Sequence, residues 1–328
     1  MTSGLALAPR ETLPSKFWEE LNRSNLAQLT DEGYENFKRT VALNYFTWIV
    51  PLSDVQIRFL WRRLPKSRFL LAALQTIFSR SHPPIPWKES KAYSFLTRLI
   101  WEYAAAQEPD DRLEKLEEPL EGNPPRVYRR GRLISQDLAN AKLEFRSILH
   151  PAVDLTQVNT ILELGAGYGR TAFVFLTLLP TVRYIVADIP PALAVCERYL
   201  SSCFKDRRIF RYRPFRDYAE VREEFEAAQI IFLLPHQLAL LPKGSADLFM
   251  NISSFDEMRK DQIGYYFKLL APLVRRYFYL KGWKVSENLS DGITVKDGDY
   301  PIPADWKKVY WKTCAVQEYF FEALFELP

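Results

Sequence analysis

The chain has 328 residues, 48% hydrophobic and 26% charged, with a formal net charge of +4. This composition belongs to a soluble globular protein of one large or two ordinary domains, and so weak a charge does not call for nucleic acid or an anionic membrane. No apolar run approaches the ~20 residues that span a bilayer, and the first ten residues lack the basic start and apolar core of a signal peptide.

Three cysteines, Cys196, Cys203 and Cys314, make a sparse, odd count that suits a reducing compartment. Cys196 and Cys203 lie two helical turns apart with no histidine near them, so buried thiols are expected and a metal site is not. The expectation is a cytoplasmic protein with no nucleic-acid or membrane partner. A homo-oligomer is left open.

Residues 1–15 carry little pattern and are expected to fray. From residue 16 to about 64 the pattern is helical, with Phe17 and Leu21, then Phe37, Val41, Tyr45 and Trp48 at three- and four-residue spacing. Pro51 interrupts it, and Leu52-Ser53-Asp54 reads as a new helix start. Leu60, Trp61, Leu64, Phe69, Leu70, Leu74, Ile77 and Phe78 continue the signal, until three prolines within 81–86 impose a connector. A further helix over about 90–107 carries Tyr93, Leu96, Ile100, Trp101 and Tyr103. Residues 1–115 therefore read as an all-helical region, a cap or a dimerisation surface, whose aromatics form core.

Residues 116–150 form a linker and a leading helix. Turn residues run through 114–125, followed by Arg126, Arg129, Arg130 and Arg132 with Tyr128 among them. One reading is a solvated basic loop. The other is a lid that offers Tyr128 and Arg129 to an acceptor. Ser135 is placed to cap a helix over about 136–150.

Residues 151–328 alternate strand and helix. Strands are expected at 160–164, 183–187, 229–234, 246–252 and 277–280, with a short one near 208–212 and a pair at 306–313 and 316–327. Helices are expected after the first strand, at about 191–204, and at 256–270. Successive βαβ units imply an α/β, Rossmann-like, mostly parallel sheet closed by a C-terminal hairpin.

The first strand leads into Glu163-Leu164-Gly165-Ala166-Gly167-Tyr168-Gly169-Arg170. Glycines at alternate positions let the backbone come close to a ligand, and the helix that follows turns its free N–H groups toward it. A dinucleotide fingerprint wants glycine or alanine at the sixth place from Gly165, where this chain has Arg170. The G-x-G-x-G run with an acid before it instead resembles the first motif of class I S-adenosylmethionine-dependent methyltransferases. The resemblance implies that Gly165, Ala166, Gly167, Tyr168 and Gly169 pass along the cofactor's methionine and ribose, and that Glu163 helps hold its amino-acid end. Asp188, 23 positions after Gly165 and followed by Ile189, matches the acid that takes the ribose hydroxyls. S-adenosylmethionine is the expected cofactor and S-adenosylhomocysteine its product.

Asp188-Ile189-Pro190-Pro191 is similar on its face to the proline loop of nucleic-acid amino-group methylases. It follows the second strand rather than the fourth, and the loop after the fourth has no proline pair. In order along the chain stand Gly122-Asn123-Pro124, Gly131 with Ile134-Ser135-Gln136-Asp137, the glycine turn, Asp188 to Leu193 with Tyr199-Leu200, and Asn251, Ser254, Glu257 and Met258. Together these resemble a sugar O-methyltransferase family found with polyether-antibiotic and surface-polysaccharide gene sets, over roughly 116–280. Lys281-Gly282 departs from that pattern, where a small polar residue is expected.

The resemblance implies methyl transfer to a hydroxyl of a sugar or glycosylated metabolite, as in secondary metabolism. Near-attack geometry supplies much of such a rate, and a positioned base adds ~10²–10⁴-fold. Glu257 is the first candidate base and His236 the second; a plain helix-capping role for Glu257 and an adenine-side or surface role for His236 stand against them. Asn251 and Ser254 are candidates for hydrogen bonds to sugar hydroxyls. Asp256 reads as an N-terminal helix acid, and His82 and His150 as structural. Adjacent Asp256 and Glu257 do not converge on a helix, so no Mg²⁺ site is expected. O- or N-methylation of a non-sugar metabolite and a cofactor-binding scaffold without catalysis are the competing functions.

Overall fold

The computed structural model describes residues 8–40, 53–62, 91–107 and 111–328. The helical patterns over 41–48 and 64–78, the break at Pro51, the connector at 81–86 and His82 lie outside the described residues. The chain forms two compact units. One comprises Ile148–Thr313 and Tyr319–Pro328 with the N-terminal residues through Ala27; the other comprises Gln28–Ser147 and Cys314–Glu318.

Helix α1 (Lys16–Glu32) starts in the first of these units and runs on into the sequence of the second, whose described helices are α2 (Phe37–Thr40), α3 (Asp54–Trp61), α4 (Lys91–Ala106) and α5 (Gln136–Ile148). Ser53 starts α3 as expected: its Oγ accepts from Gln56 N at 3.3 Å, and its own N donates to Gln56 Oε1 at 2.9 Å. A buried ion pair joins Lys38 to Glu118, and Ser135 Oγ donates to the other oxygen of Glu118 at 2.5 Å. The same Ser135 Oγ accepts from Leu138 N at 3.0 Å, capping α5. Trp101 Nε1 donates to Ser135 O at 2.7 Å. A buried charge survives where such partners complete it.

The basic stretch after Pro125 is a hairpin rather than a loop: β1 (Val127–Arg129) pairs with β2 (Arg132–Ile134). Arg130 and Gly131 form its two-residue turn with φ of 50° and 82°, the primed geometry that matches strand twist.

The first unit is built on one eight-stranded sheet and a separate antiparallel pair of strands. Its elements are β3 (Thr160–Leu164), α6 (Arg170–Leu178), β4 (Arg183–Ala187), α7 (Ala192–Cys203), β5 (Ile209–Phe210), α8 (Arg222–Ala227), β6 (Ile230–Leu233), β7 (Ala246–Ile252), α9 (Lys260–Leu270), β8 (Val274–Trp283), β9 (Val285–Asn288), β10 (Ile293–Lys296), β11 (Lys307–Thr313) and β12 (Phe320–Glu326). The sheet order is β11-β12-β8-β7-β3-β4-β6-β5, and β9 and β10 form the separate pair. All neighbours pair in parallel except β12, which runs antiparallel to both β8 and β11 and closes the sheet.

Burial on both faces explains the unbroken apolar runs of β3, β4, β6 and β7. Leu162, Ile185, Ile231, Phe249 and Phe278 face one core with Ile263 and Phe267 of α9. On the other face Phe175 of α6 meets Tyr184, ring centroids 6.3 Å apart.

Three differences from expectation bear on the site. The helix after β7 begins at Lys260, because Phe255–Glu257 forms a separate 3-10 turn; Asp256 is therefore not a helix N-terminal acid. β8 extends to Trp283, so Lys281 and Gly282 are strand residues. Residues 8–15 are packed rather than frayed: Gln262 Nε2 donates to Glu11 O at 3.1 Å and Leu13 O at 2.6 Å, and Arg259 Nη2 to Arg10 O at 3.2 Å. Among the described residues no helix is long and apolar enough to cross a membrane.

Candidate active site

Strand order reverses at β3, which has β4 on one side and β7 on the other. Connections leave these strands in opposite directions, so a crevice opens at their carboxyl ends. Into it run the turn after β3, Asp188 after β4, His236 after β6 and the Ser253–Glu257 loop after β7. The sequence candidates on the sheet thus share one edge.

The turn after β3 has Gly165, Gly167 and Gly169 at φ of 79°, 59° and 90°. Two of these glycines are also required by space. A Cβ on Gly165 would overlap the Ser254 hydroxyl, and one on Gly169 would lie 2.7 Å from Cys196 Sγ. Gly165 and Gly167 stay partly exposed among buried neighbours, which leaves their backbone open to a ligand. Tyr168 is buried edge-on to Tyr199, centroids 5.3 Å apart, and anchors the turn to α7.

Asp188 ties the two strand ends together. Its Oδ2 accepts from Gly167 N at 2.7 Å and its Oδ1 from Ile189 N at 2.7 Å. Each carboxylate oxygen keeps further acceptor capacity for a hydroxyl. Burial pushes this carboxyl up to about 7, against the two amides that favour its ionised form. Glu163 lies inside β3, buried, and accepts from Tyr184 OH at 2.6 Å.

The β7 side is shaped by Asn251 and Ser253. Asn251, 2% exposed, donates from Nδ2 to Leu164 O at 2.9 Å and accepts at Oδ1 from Phe255 N at 2.9 Å. Both ends of its amide thus order the loop, and each keeps one further hydrogen-bonding position. Ser253 holds φ at 52° with its N on Lys281 O at 2.7 Å, a left-handed turn that costs a non-glycine residue ~1 kcal/mol or more. That turn lays Ser254 against Gly165 and carries Asp256 and Glu257 inward.

Asp256 is 1% exposed, and neither carboxyl oxygen has a hydrogen-bond partner among the described residues. Burial pushes it up to about 7; the amides of Asp256 and Trp283 pull the other way without reaching hydrogen-bond geometry. A Cβ on Gly282 would lie 3.0 Å from Asp256 Oδ1 and 3.4 Å from Tyr300 OH, so glycine there keeps space at the carboxyl. Glu257 is part-buried, and its Oε2 is shielded from solvent without a partner among the described residues. Burial raises its pKa well above the usual range, and the charges of Asp256 and Asp188 add to this, while a hydrogen bond from the Trp18 side chain opposes it. These orphaned oxygens are not legible from spacing, because loss of a partner is a tertiary event.

His236 follows β6 and is half-buried; burial lowers its pKa, so the neutral imidazole is favoured. Its Nδ1 has no partner among the described residues. The second unit carries the remaining two candidates. Tyr128 is exposed, and Arg129 donates to Glu102 Oε1 at 2.8 Å and to Glu114 Oε1 at 3.2 Å. Among the described residues no group of three or more His, Cys, Asp or Glu side chains converges as a metal site. The cysteines are free thiols, Cys196 and Cys314 buried.

Fold and site define a doubly wound α/β domain with a ligand crevice at the switch point of its sheet. No family model and no curated relative matches the chain. Among solved structures, a mitomycin 7-O-methyltransferase aligns over 69% of this chain and 60% of its own length, at 13% identity and a TM-score of 0.40. A SAM-dependent methyltransferase from Aquifex aeolicus aligns over 70% of this chain and 98% of its own, at 10% identity and a TM-score of 0.35. Magnesium protoporphyrin IX methyltransferase from Synechocystis PCC 6803, with bound SAH, aligns over 59% and 86%, at 11% identity and a TM-score of 0.40. The chain thus spans about 60% of the length of the first of these proteins.

Proposed function

We propose that this protein is an S-adenosylmethionine-dependent O-methyltransferase acting on a hydroxyl of a sugar or glycosylated small molecule. The observation that carries the reading is the division of one sheet edge into two facing parts. A glycine turn tied to Asp188 suits a nucleoside-type cofactor, and a loop with buried, unpartnered carboxyl oxygens suits a donor-rich acceptor.

The residues present fit the cofactor. The exposed backbone of Gly165 and Gly167 can lie along it, Asp188 retains acceptor capacity for two ribose hydroxyls, and the neutral His236 stands at the adjoining strand end. Glu163 acts through the turn, since it is buried in β3 and bonded to Tyr184. When bound, the cofactor supplies an electrophilic methyl group on a sulfonium. The protein's own part is to hold the acceptor and remove its proton. Oxygen acceptors without donors are costly to bury, and a polyhydroxyl ligand brings the missing donors. Glu257 Oε2 is the proposed proton acceptor, with the half-buried His236 as the second candidate. Asp256 accepts from a neighbouring hydroxyl and Ser254 lines the approach. The ordered motifs of residues 116–280 support a sugar rather than a phenol or amine. Tyr128 and Arg129 stay in this reading as candidate acceptor contacts. Three free thiols suit a cytoplasmic setting.

The test is transfer of a labelled methyl from S-adenosylmethionine to a panel of deoxysugar glycosides. Transfer to sugar hydroxyls is the expected result. Transfer to phenols or amines but never to sugars removes the acceptor class, and cofactor binding without transfer to any acceptor leaves a scaffold. Assays with and without a chelator settle metal dependence.

A further inference from the structure

We infer that Trp18 is a positioning residue for Glu257: its indole N–H holds one carboxyl oxygen and leaves Oε2 to take the acceptor's proton. The inference rests on the proposed role of Glu257 as base.

The geometry begins at the start of α1. Ser15 Oγ accepts from Trp18 N at 3.4 Å and donates to the Glu257 carbonyl at 3.1 Å. One hydroxyl therefore sets both the first turn of α1 and its register on Glu257. The turn between β9 and β10 completes the clamp. Asp291 accepts from Lys16 N at 3.3 Å and Phe17 N at 3.2 Å, satisfying two free amides of the helix start. Asn288 Nδ2 donates to Asp291 Oδ2 at 2.9 Å and to the Glu257 carbonyl at 3.4 Å. Held this way, Trp18 donates its side-chain hydrogen bond to the Glu257 carboxyl. The contact spans most of the chain: Ser15 and Glu257 are 242 positions apart.

Trp18 matters because, among the described residues, it is the group that favours the ionised form of this carboxyl. Asp256 on its own turn and Asp188 at the end of β4 both repel its charge. The nearest cation in sequence, Arg259, is turned to Asp261 Oδ1 at 3.2 Å and Arg10 O at 3.2 Å. Asp291 is occupied by α1. No Lys, Arg or His among the described residues forms an ion pair with Glu257. A neutral donor thus fixes one oxygen and works against the burial and like charges that hold the group protonated.

The experiment is a pH titration of the indole 1H–15N resonances of the full chain, which has 8 tryptophans. The Trp18 signal is assigned by its loss in Trp18→Phe. If that variant does not fold, the signal is taken as the one whose titration Glu257→Gln abolishes. The expected result is a Trp18 resonance that moves with pH in the wild type and stays still in Glu257→Gln. Trp18→Phe should shift the acid limb of the turnover profile upward by ~1 pH unit. A Trp18 signal that ignores pH, or that moves identically in Glu257→Gln, overturns the inference. Loss of turnover in Glu257→Gln without a responsive resonance removes Trp18 alone. A responsive resonance with full turnover in Glu257→Gln removes the base itself, and the catalytic role of Trp18 with it.

Discussion

At the β3–β4 half of the sheet edge, the buried acids have donors: Asp188 takes the amides of Gly167 and Ile189, and Glu163 takes the Tyr184 hydroxyl. At the β7–β8 half, both oxygens of Asp256 and Oε2 of Glu257 have none among the described residues. The first arrangement is complete before any ligand arrives, so it can recognise a shape with little reorganisation. The second holds desolvated carboxyls at a cost in stability, which is relieved when a ligand supplies hydroxyl donors. In the proposed function the first half is the cofactor cradle and the second the acceptor side.

The sharpest way to break this comparison is Glu257→Gln. It should lower turnover ~10²–10⁴-fold while cofactor affinity, measured by calorimetry, stays within about twofold. Equal loss of both would put Glu257 in the cradle. Gly165→Ala should do the reverse. Its φ of 79° and the Ser254 hydroxyl leave no place for a Cβ. Cofactor affinity should fall by about tenfold or more and the melting temperature with it, whereas Gly264→Ala, with nothing within 4 Å, should leave affinity unchanged.

A third prediction concerns pH. Asp188 and Asp256 sit at about 7 when folded, above their ordinary 3.8. The folded chain therefore binds more protons than the unfolded chain between these values, and their contribution to stability declines as pH rises from about 4 through about 7. Asp256→Asn should remove part of that decline and raise the melting temperature at pH 8 by ~2–4 °C, with little change at pH 4. An unchanged slope in denaturant titrations would mean that Asp256 is not held as described. The smallest effect is expected on the satisfied side. Tyr184→Phe removes one donor to Glu163 and should cost ~1 kcal/mol, read from the same titrations.

Much of the sheet was legible because each strand carries its own signal. The ranges read for β4 and β7 are the ones observed, since strands buried on both faces are continuous apolar runs. Gly165, Gly167, Gly169 and Asp188 were legible for a similar reason, as a turn and a strand end are local events. Two hairpins were missed. For β9–β10 a usable signal existed, Asp291-Gly292 between alternating strands, with Gly292 at φ 64°. Arg130-Gly131 was masked by the charge of its neighbours. Asn251 was correctly placed at the edge, but its two bonds to Leu164 O and Phe255 N show a loop tie that no spacing reveals.

By itself, then, the sequence determined the succession of strands in the main sheet, the positive-φ turn after β3 and the acid after β4, because these follow from propensity, periodicity and glycine's freedom over a few neighbouring residues. The tertiary structure alone decided which acids lost their donors and which gained one. Burial of Asp256 beside Gly282 and Tyr300, and the reach of Trp18 onto the Glu257 carboxyl from a helix start 242 positions away at Ser15, depend on separate elements being brought together, and desolvation and hydrogen-bond partnership exist only once the fold has done so.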